Sequence, residues 1–553
     1  MRKGISLVLL LSFLFMVAVP AYGNDMNGIQ RFNDVPTGHW ADETVHRARQ
    51  LGITDGLGDN QFGLGMTISR AEYVALLVKL MQWPVNAGGS SSFDDNNDPN
   101  AWYYNTLETA VQQGMLTAGG QFGPTDNITR EEMAVLAVSA LGFRDLGNQL
   151  ASSGTAFGDV TQNQGYIALA SDLGLMSGIG NGQFAPRETA TREQAVSMMV
   201  RLYDQLQNQI TQLHGFYAIK SSGQSSLMND MDSVSFGWSR LALNNGQVVL
   251  NTSNADNNEY GLPSGFSTPL NQAKNSGATT QLMVFADDQS LLSSVLLDPA
   301  MRTQAVQAIT NQVVMTAKDG EAVAFDGVTI DFESMKGEAL KQGFNQFLSE
   351  LKQQLSANNK HLYVAVHPKM RNNQAYFDGY DYATIGQIAD KVILMASDYY
   401  AKSLTQAEMD MGYTKTPLSP LADVYYGLKM ITDPQTGVAD TSKIWLQVSM
   451  DSVQWKLQNG KVINQKPYHP SYEAIASRLA TGVSVNYPNY SYNPYATYFD
   501  ANDGTDNILW YEDARSVAAK MELARLFGIQ GISIWRLGNI PTDVWQQVIQ
   551  TVK

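Results

Sequence analysis

A chain of 553 residues that is 44% hydrophobic and 16% charged is too long for one core and too apolar for an extended disordered tail, so about two to four domains are expected. The formal net charge of −15 excludes attraction of nucleic acid or anionic membrane by the overall field; an anionic ligand has to be held by local arginines. Cysteine is absent and the six histidines are scattered, which excludes a disulfide scaffold, thiol chemistry and a Cys/His zinc site, and no cofactor or metal is expected.

Arg2 and Lys3 precede an apolar run over 5–19, followed by Pro20-Ala21-Tyr22-Gly23. This is the pattern of a secretory signal peptide over 1–23, too short for the ~20 residues of a membrane span. No later segment is long and apolar enough to span. The expectation is an exported chain, and the absence of cysteine fits a bacterial route.

Three repeats follow, over 24–88, 89–150 and 151–211. Phe32-Asn33-Asp34-Val35 returns as Phe93-Asp94-Asp95 and as Phe157-Gly158-Asp159-Val160. Ser69-Arg70-Ala71-Glu72 returns as Thr129-Arg130-Glu131-Glu132 and Thr191-Arg192-Glu193-Gln194. A Ser or Thr with Glu or Gln three residues later, ahead of an apolar-periodic run, is a capping box that opens a helix. Capping accounts for those positions but not for Arg70, Arg130 and Arg192, since a cation in the first turn opposes the helix dipole. An anion set against the helix start and the guanidinium together would account for all three. The region has ten basic and twenty acidic side chains, so such binding rests on these few arginines. Trp40 and Trp102 occupy matching places, where stacking on sugar and core packing are both open, and Tyr166 stands near the third such place. The repeats resemble S-layer homology domains, whose T-R-A-E motif holds the charged secondary polymer of Gram-positive cell walls. The resemblance implies attachment to the wall or S-layer through Arg70, Arg130, Arg192, Trp40 and Trp102.

From 212 to 553 the pattern changes to short strands separated by helical stretches, which predicts a parallel α/β architecture. Strands are expected at 215–219, 234–238, 281–285, 328–332, 362–366, 391–395, 444–448 and 531–535, a number that suits an α/β TIM (β/α)8 barrel. The tyrosine-rich stretch over about 451–507 breaks the alternation and reads as a small α+β insertion.

The most informative run is Phe325-Asp326-Gly327-Val328-Thr329-Ile330-Asp331-Phe332-Glu333. Its period of two is that of a strand, and Thr329, Asp331 and Glu333 fall on one face. Two carboxylates this close cannot both ionise easily, so one is pushed toward its protonated form and a general acid becomes available. A solvent-facing acidic strand end is the plainer alternative; the apolar flanks and Gly327 favour catalysis.

These residues resemble glycoside hydrolase family 18, whose signature D-x-x-D-x-D-x-E lies on the fourth barrel strand. Asp326, Asp331 and Glu333 match, and Thr329 replaces the remaining Asp. Trp510-Tyr511-Glu512-Asp513-Ala514-Arg515-Ser516 and Gly531-Ile532-Ser533-Ile534-Trp535 look like the spore-cortex-lytic branch of that family. The resemblance implies catalysis by Glu333, which protonates the leaving oxygen, and Asp331, which orients the substrate's 2-acetamido group. It implies substrate contacts from Asp326, Thr329, Asp398 and Trp535. Thr329 can still hydrogen-bond Asp331. Met395-Ala396-Ser397-Asp398 aligns with the family's M-x-Y-D, and Tyr399 or Tyr400 is expected to substitute for the tyrosine missing at Ser397. Glu512 and Asp513 read better as structural. The function implied is hydrolysis of β-linked N-acetylglucosamine in peptidoglycan or chitin-like glycans. The alternatives are an inactive glycan-binding protein on the same scaffold, which Thr329 and Ser397 favour and Glu333 opposes, and an S-layer structural protein, which the barrel opposes.

Overall fold

The computed structural model describes residues 31–85, 90–150, 156–255, 258–371 and 374–552. The signal-peptide reading lies outside the described residues.

Each repeat contributes a short first helix and a longer second one: Asp42–Gln50 with Arg70–Leu80, Tyr104–Gln112 with Arg130–Ala140, and Gln164–Asp172 with Arg192–Gln207. The second helices start where the capping boxes predict. Glu72 Oε2 accepts from Ser69 N–H at 2.8 Å, Glu132 Oε2 from Thr129 N–H at 2.8 Å, and Gln194 Oε1 from Thr191 N–H at 3.2 Å. The repeated aspartates have a structural job. Asp34, Asp95 and Asp159 accept backbone N–H groups from 62–64, 122–123 and 184–185, pinning the loop before each second helix. The repeats close into a ring. Ser69 bridges Asn127, Thr129 bridges Thr189, and Thr191 returns to bridge Thr67.

The second body is built on eight parallel strands: β1 Gln212–Tyr217, β2 Ser233–Asn244, β3 Thr279–Ala286, β4 Gly327–Phe332, β5 His361–Val366, β6 Lys391–Leu394, β7 Ile444–Ser449 and β8 Gly531–Trp535. Neighbours in sequence are neighbours in space, and β1 pairs with both β2 and β8, so the barrel is closed. All eight strands lie where the alternation placed them. The first begins earlier than 215 and stops at Tyr217, because Ala218 N–H is capped by Ser221 Oγ (2.9 Å) and the chain turns into a 3-10 helix. β2 continues past 238 into a hairpin with Gln247–Asn251, turned by Asn245 and Gly246, both at positive φ.

Large side chains fill the interior. Trp445, Tyr363, Phe216, Met283 and Phe285 form one buried cluster, with His214 stacked on the Trp445 indole at 5.0 Å. Gly531 is obligatory here, since a β-carbon on it would lie 1.6 Å from Trp445. Between β7 and β8 stands a five-stranded antiparallel sheet made of 453–458, 461–462, 484–486, 495–500 and 505–510, with the helix Tyr472–Leu479. It runs through Trp510, beyond the 451–507 read from sequence. Glu512, just past it, is buried and accepts from Lys520 Nζ (2.7 Å), Asn493 Nδ2 (2.7 Å) and Ser516 Oγ (2.5 Å), while Asp513 caps the following helix.

The ring and the barrel touch through Arg525, which donates to the carbonyls of Gln205, Leu206 and Asn208 at the end of the last ring helix. Lys429 adds an ion pair to Asp172 at 2.8 Å. Among the described residues no helix is long and apolar enough to cross a membrane.

Candidate active site

A cleft of about 340 Å³ opens at the C-terminal ends of the barrel strands. Asp331 and Glu333 at the end of β4, His367 after β5, Asp398 after β6, Gln447 on β7 and Trp535 on β8 converge on it. Parallel strands aim their C-terminal ends and following loops at one mouth, which is why side chains remote in sequence meet there.

Asp331 is 3% exposed and its Oδ1 has no protein hydrogen-bond partner among the described residues. Burial, with Glu333 and Asp287 adding like charge, pushes its pKa well above the usual carboxylate range. These surroundings favour the protonated form of Asp331. The Glu333 side chain is more open, 31% exposed, with His367 Nε2 3.6 Å from its Oε2. Asp398, held at a φ of 60°, likewise has a buried Oδ1 without a protein partner among the described residues. Burial, aided by Asp451 and Glu333, pushes its pKa up to about 6 against the pull of Lys402 and His367. Trp535 stands edge-on to Phe216 at 5.2 Å and gives the cleft an aromatic wall.

Three residues expected at the substrate lie elsewhere. Thr329 shares a strand face with Asp331, but two residues of strand rise by roughly 6.6 Å, which sets it a layer deeper. It is fully buried, and its hydroxyl meets Ser235 Oγ (2.6 Å) rather than Asp331; Ser235 in turn meets His214 Nε2 (2.8 Å). Asp326 precedes β4 at the opposite mouth, accepting from Thr280 N–H and Oγ1 at 2.9 and 2.7 Å. Tyr399 is buried behind the cleft wall, with Arg371 over its ring at 5.2 Å.

The cleft also holds residues the sequence reading did not single out: His367, Tyr376, Phe377, Lys402, Gln447 and Tyr260. His367 directly follows β5, and Gln447 is a polar residue in the apolar strand β7; both positions carry a legible signal. Tyr260, Tyr376 and Lys402 come from loops and carry none. Among the described residues no group of three or more His, Cys, Asp or Glu is arranged to hold a metal ion.

The repeat arginines are not equivalent. Each lies over the phenylalanine of another repeat: Arg70 over Phe122, Arg130 over Phe184 and Arg192 over Phe62, at 4.7, 4.7 and 5.6 Å. Arg192 pairs with Glu72 at 3.0 Å and Arg70 with Glu132 at 3.5 Å. The residue in register for Arg130 is Gln194, which leaves that guanidinium without the carboxylate its two counterparts meet. Arg130 donates to the carbonyls of Phe184 (2.9 Å) and Ser177 (2.8 Å) and lines a cavity of about 260 Å³ with Trp40, Gln194 and Arg201. Trp102 is exposed and meets Tyr103 edge-on at 5.5 Å. Tyr166 is buried and donates to Asn148 Oδ1 at 3.0 Å, so it offers no surface for stacking.

The family model of glycosyl hydrolases family 18 matches residues 190–539. The chain belongs to that family. Ahead of its family 18 barrel it carries three S-layer homology domains, matched at 31–74, 94–134 and 156–196. A cortical fragment-lytic enzyme of Bacillus anthracis is 30% identical over 261 residues, 47% of this chain and 56% of the relative. The chain thus spans about half the length of the curated enzyme it matches. The S-layer protein EA1 of Bacillus anthracis is 27% identical over 172 residues, 30% of this chain and 19% of that protein. The C-terminal domain of a putative chitinase from Desulfitobacterium hafniense superposes with a TM-score of 0.50 at 20% identity, covering 63% of this chain and all of that one (100%), and supports the fold of the family 18 barrel.

Proposed function

We propose that this chain is a wall-attached hydrolase of β-linked N-acetylglucosamine that retains configuration through the substrate's own acetamido group. The observation that carries the reading is the unequal pair at the end of β4: a buried Asp331 whose surroundings favour its protonated form, beside a solvent-reachable Glu333. A buried carboxyl that holds a proton, beside one that reaches the solvent side of the cleft, supplies the proton and the group that delivers it from one strand.

The proton favoured on buried Asp331 passes to Glu333 as the substrate's acetamide N–H reaches Asp331, and Glu333 gives it to the glycosidic oxygen as the bond to the anomeric carbon breaks. The acetamido carbonyl oxygen forms the new bond to that carbon, and Asp331 holds the amide N–H as positive charge spreads over the oxazolinium ring. Glu333, now a carboxylate, takes a proton from the water that opens the ring. Two displacements restore the original configuration. Trp535 supports the apolar face of the sugar, and Asp398 and Gln447 offer polar atoms to its rim. The three S-layer homology domains support exposure at the cell surface, and the Arg130 cavity is the site we assign to an anionic wall polymer.

The test compares wild type and Glu333→Gln on an N-acetylglucosamine oligomer, with product anomers followed by NMR. Turnover with retention, lost by ~10²–10⁴-fold in the variant, is expected. Analogues with an amine or hydroxyl at C2 should bind without turning over. Inversion, or undiminished activity in Glu333→Gln, rejects the assignment; binding with no turnover by wild type favours the glycan-binding alternative.

A further inference from the structure

Carboxylates outnumber cations in the cleft lining. Asp331, Glu333 and Asp398 line it and Asp451 lies close by, whereas Lys402, in the loop after β6, brings an ammonium to the edge nearest the inserted sheet. That ammonium lies over the Tyr400 ring, 3.6 Å from its centre, and among the described residues no carboxylate is in ion-pair contact with it. His469 of the insertion faces the same ring at 5.5 Å, with Asp451 Oδ2 3.6 Å from its Nδ1.

A lysine kept only to offset the cleft acids would relax onto one of them. This one is held off them by an aromatic face, and a cation–π contact supplies part of the solvation an ammonium needs and none of its hydrogen bonds. Three donors are thus presented at the rim of a sugar-sized cleft, at the junction where a glycan running from the barrel toward the insertion would pass.

We propose that Lys402 is a specificity-determining residue that reads a carboxylate carried by the sugar next to the reacting N-acetylglucosamine, so that the chain prefers glycans with an acidic ether substituent, of the muramic acid type, over neutral chitin-type chains. This rests on the hydrolase reading above, and deepens it by separating two substrate classes that share the same reacting unit.

The experiment uses the full chain and two soluble tetrasaccharides: an alternating N-acetylglucosamine–N-acetylmuramic acid oligomer freed of peptide, and its methyl ester, larger by one methyl and uncharged. For wild type, KM should be roughly tenfold lower for the acid than for the ester, the usual size of one charge-assisted hydrogen bond. Lys402→Met should erase that ratio and Lys402→Arg should keep most of it. A ratio near one in wild type overturns the proposal. So does a loss in Lys402→Met that is equal for acid and ester, which is the outcome for a lysine that only offsets the cleft acids. The same ratio read by calorimetry as binding to Glu333→Gln decides the point even if no substrate turns over, and so separates failure of this inference from failure of the hydrolase reading.

Discussion

At the scale of single residues, the cleft keeps acids where water would take their protons. A carboxyl whose ordinary value is 3.8 and which is held at about 6 in the folded chain keeps its proton over a window in which the unfolded chain has lost it. Native stability therefore falls as pH rises from about 4 to about 6, by roughly 1.4 kcal/mol per unit and at most about 3 kcal/mol in all, since Asp398 is not fully shut from water. Asp398→Asn has no proton to lose. It should melt at higher temperature than wild type at pH 7, show a flatter stability profile across that window, and hydrolyse substrate more slowly. Thermal melts at pH 4, 5, 6 and 7 check this (round values bracketing the raised carboxyl); an unchanged profile in the variant means that burial of Asp398 does not shift its proton. Thr329 tells the opposite story. A threonine whose hydroxyl is taken by Ser235, a layer below Asp331, does not share a proton with it, so burial and the like charges of Glu333 and Asp287 favour the Asp331 proton.

At the scale of elements, the buried Glu512–Lys520 pair locks the insertion to the barrel. Both side chains are 2% exposed, and Glu512 reaches Asn493, whose Oδ1 in turn accepts from Ser419 N–H at 2.9 Å. Lys520→Met strands a carboxylate in the interior and should cost about 3–5 kcal/mol, whereas the double change with Glu512→Gln should recover much of it. Denaturant melts of the two variants check the coupling, and equal losses in both would remove it. The elements themselves were legible because buried strands write their period directly into the chain; β4 and β8 are the clearest, each opening on a glycine. The acid pair was legible for the same reason. What alternation cannot report is depth along the barrel axis, which is why Thr329 and Asp326 pointed to the substrate in sequence yet lie below it and at the far mouth. Nor does it report loops. Tyr260, Tyr376 and Lys402 reach the cleft because tertiary packing carries their loops there, and nothing periodic marks them.

At the scale of the molecule, the S-layer homology ring and the family 18 barrel, to which we assign attachment and hydrolysis, are separate bodies joined through contacts that include Arg525 and Asp172. The attachment reading makes a sharp demand on one position. Gln194 stands where the other two repeats place Glu72 and Glu132, each paired with an arginine. Gln194→Glu should therefore neutralise Arg130 and reduce sedimentation with purified Gram-positive walls about as much as Arg130→Ala, roughly fivefold to tenfold for one charge-assisted contact. Arg70→Ala should do less, because that cation already has a partner. Wall pull-down of the full chain ranks the three; equal losses would mean that the Arg130 cavity is not special. The ring itself has a consequence for how such a module can change. A stack of repeats has two ends and can lose one unit by shifting its cap, but a closed circle has no end to trim. Removing the second repeat would take Phe122 from Arg70 and Arg130 from Phe184 in one step, opening two faces at once. Three is the copy number at which this circle closes, and losing any one unit exposes two faces together.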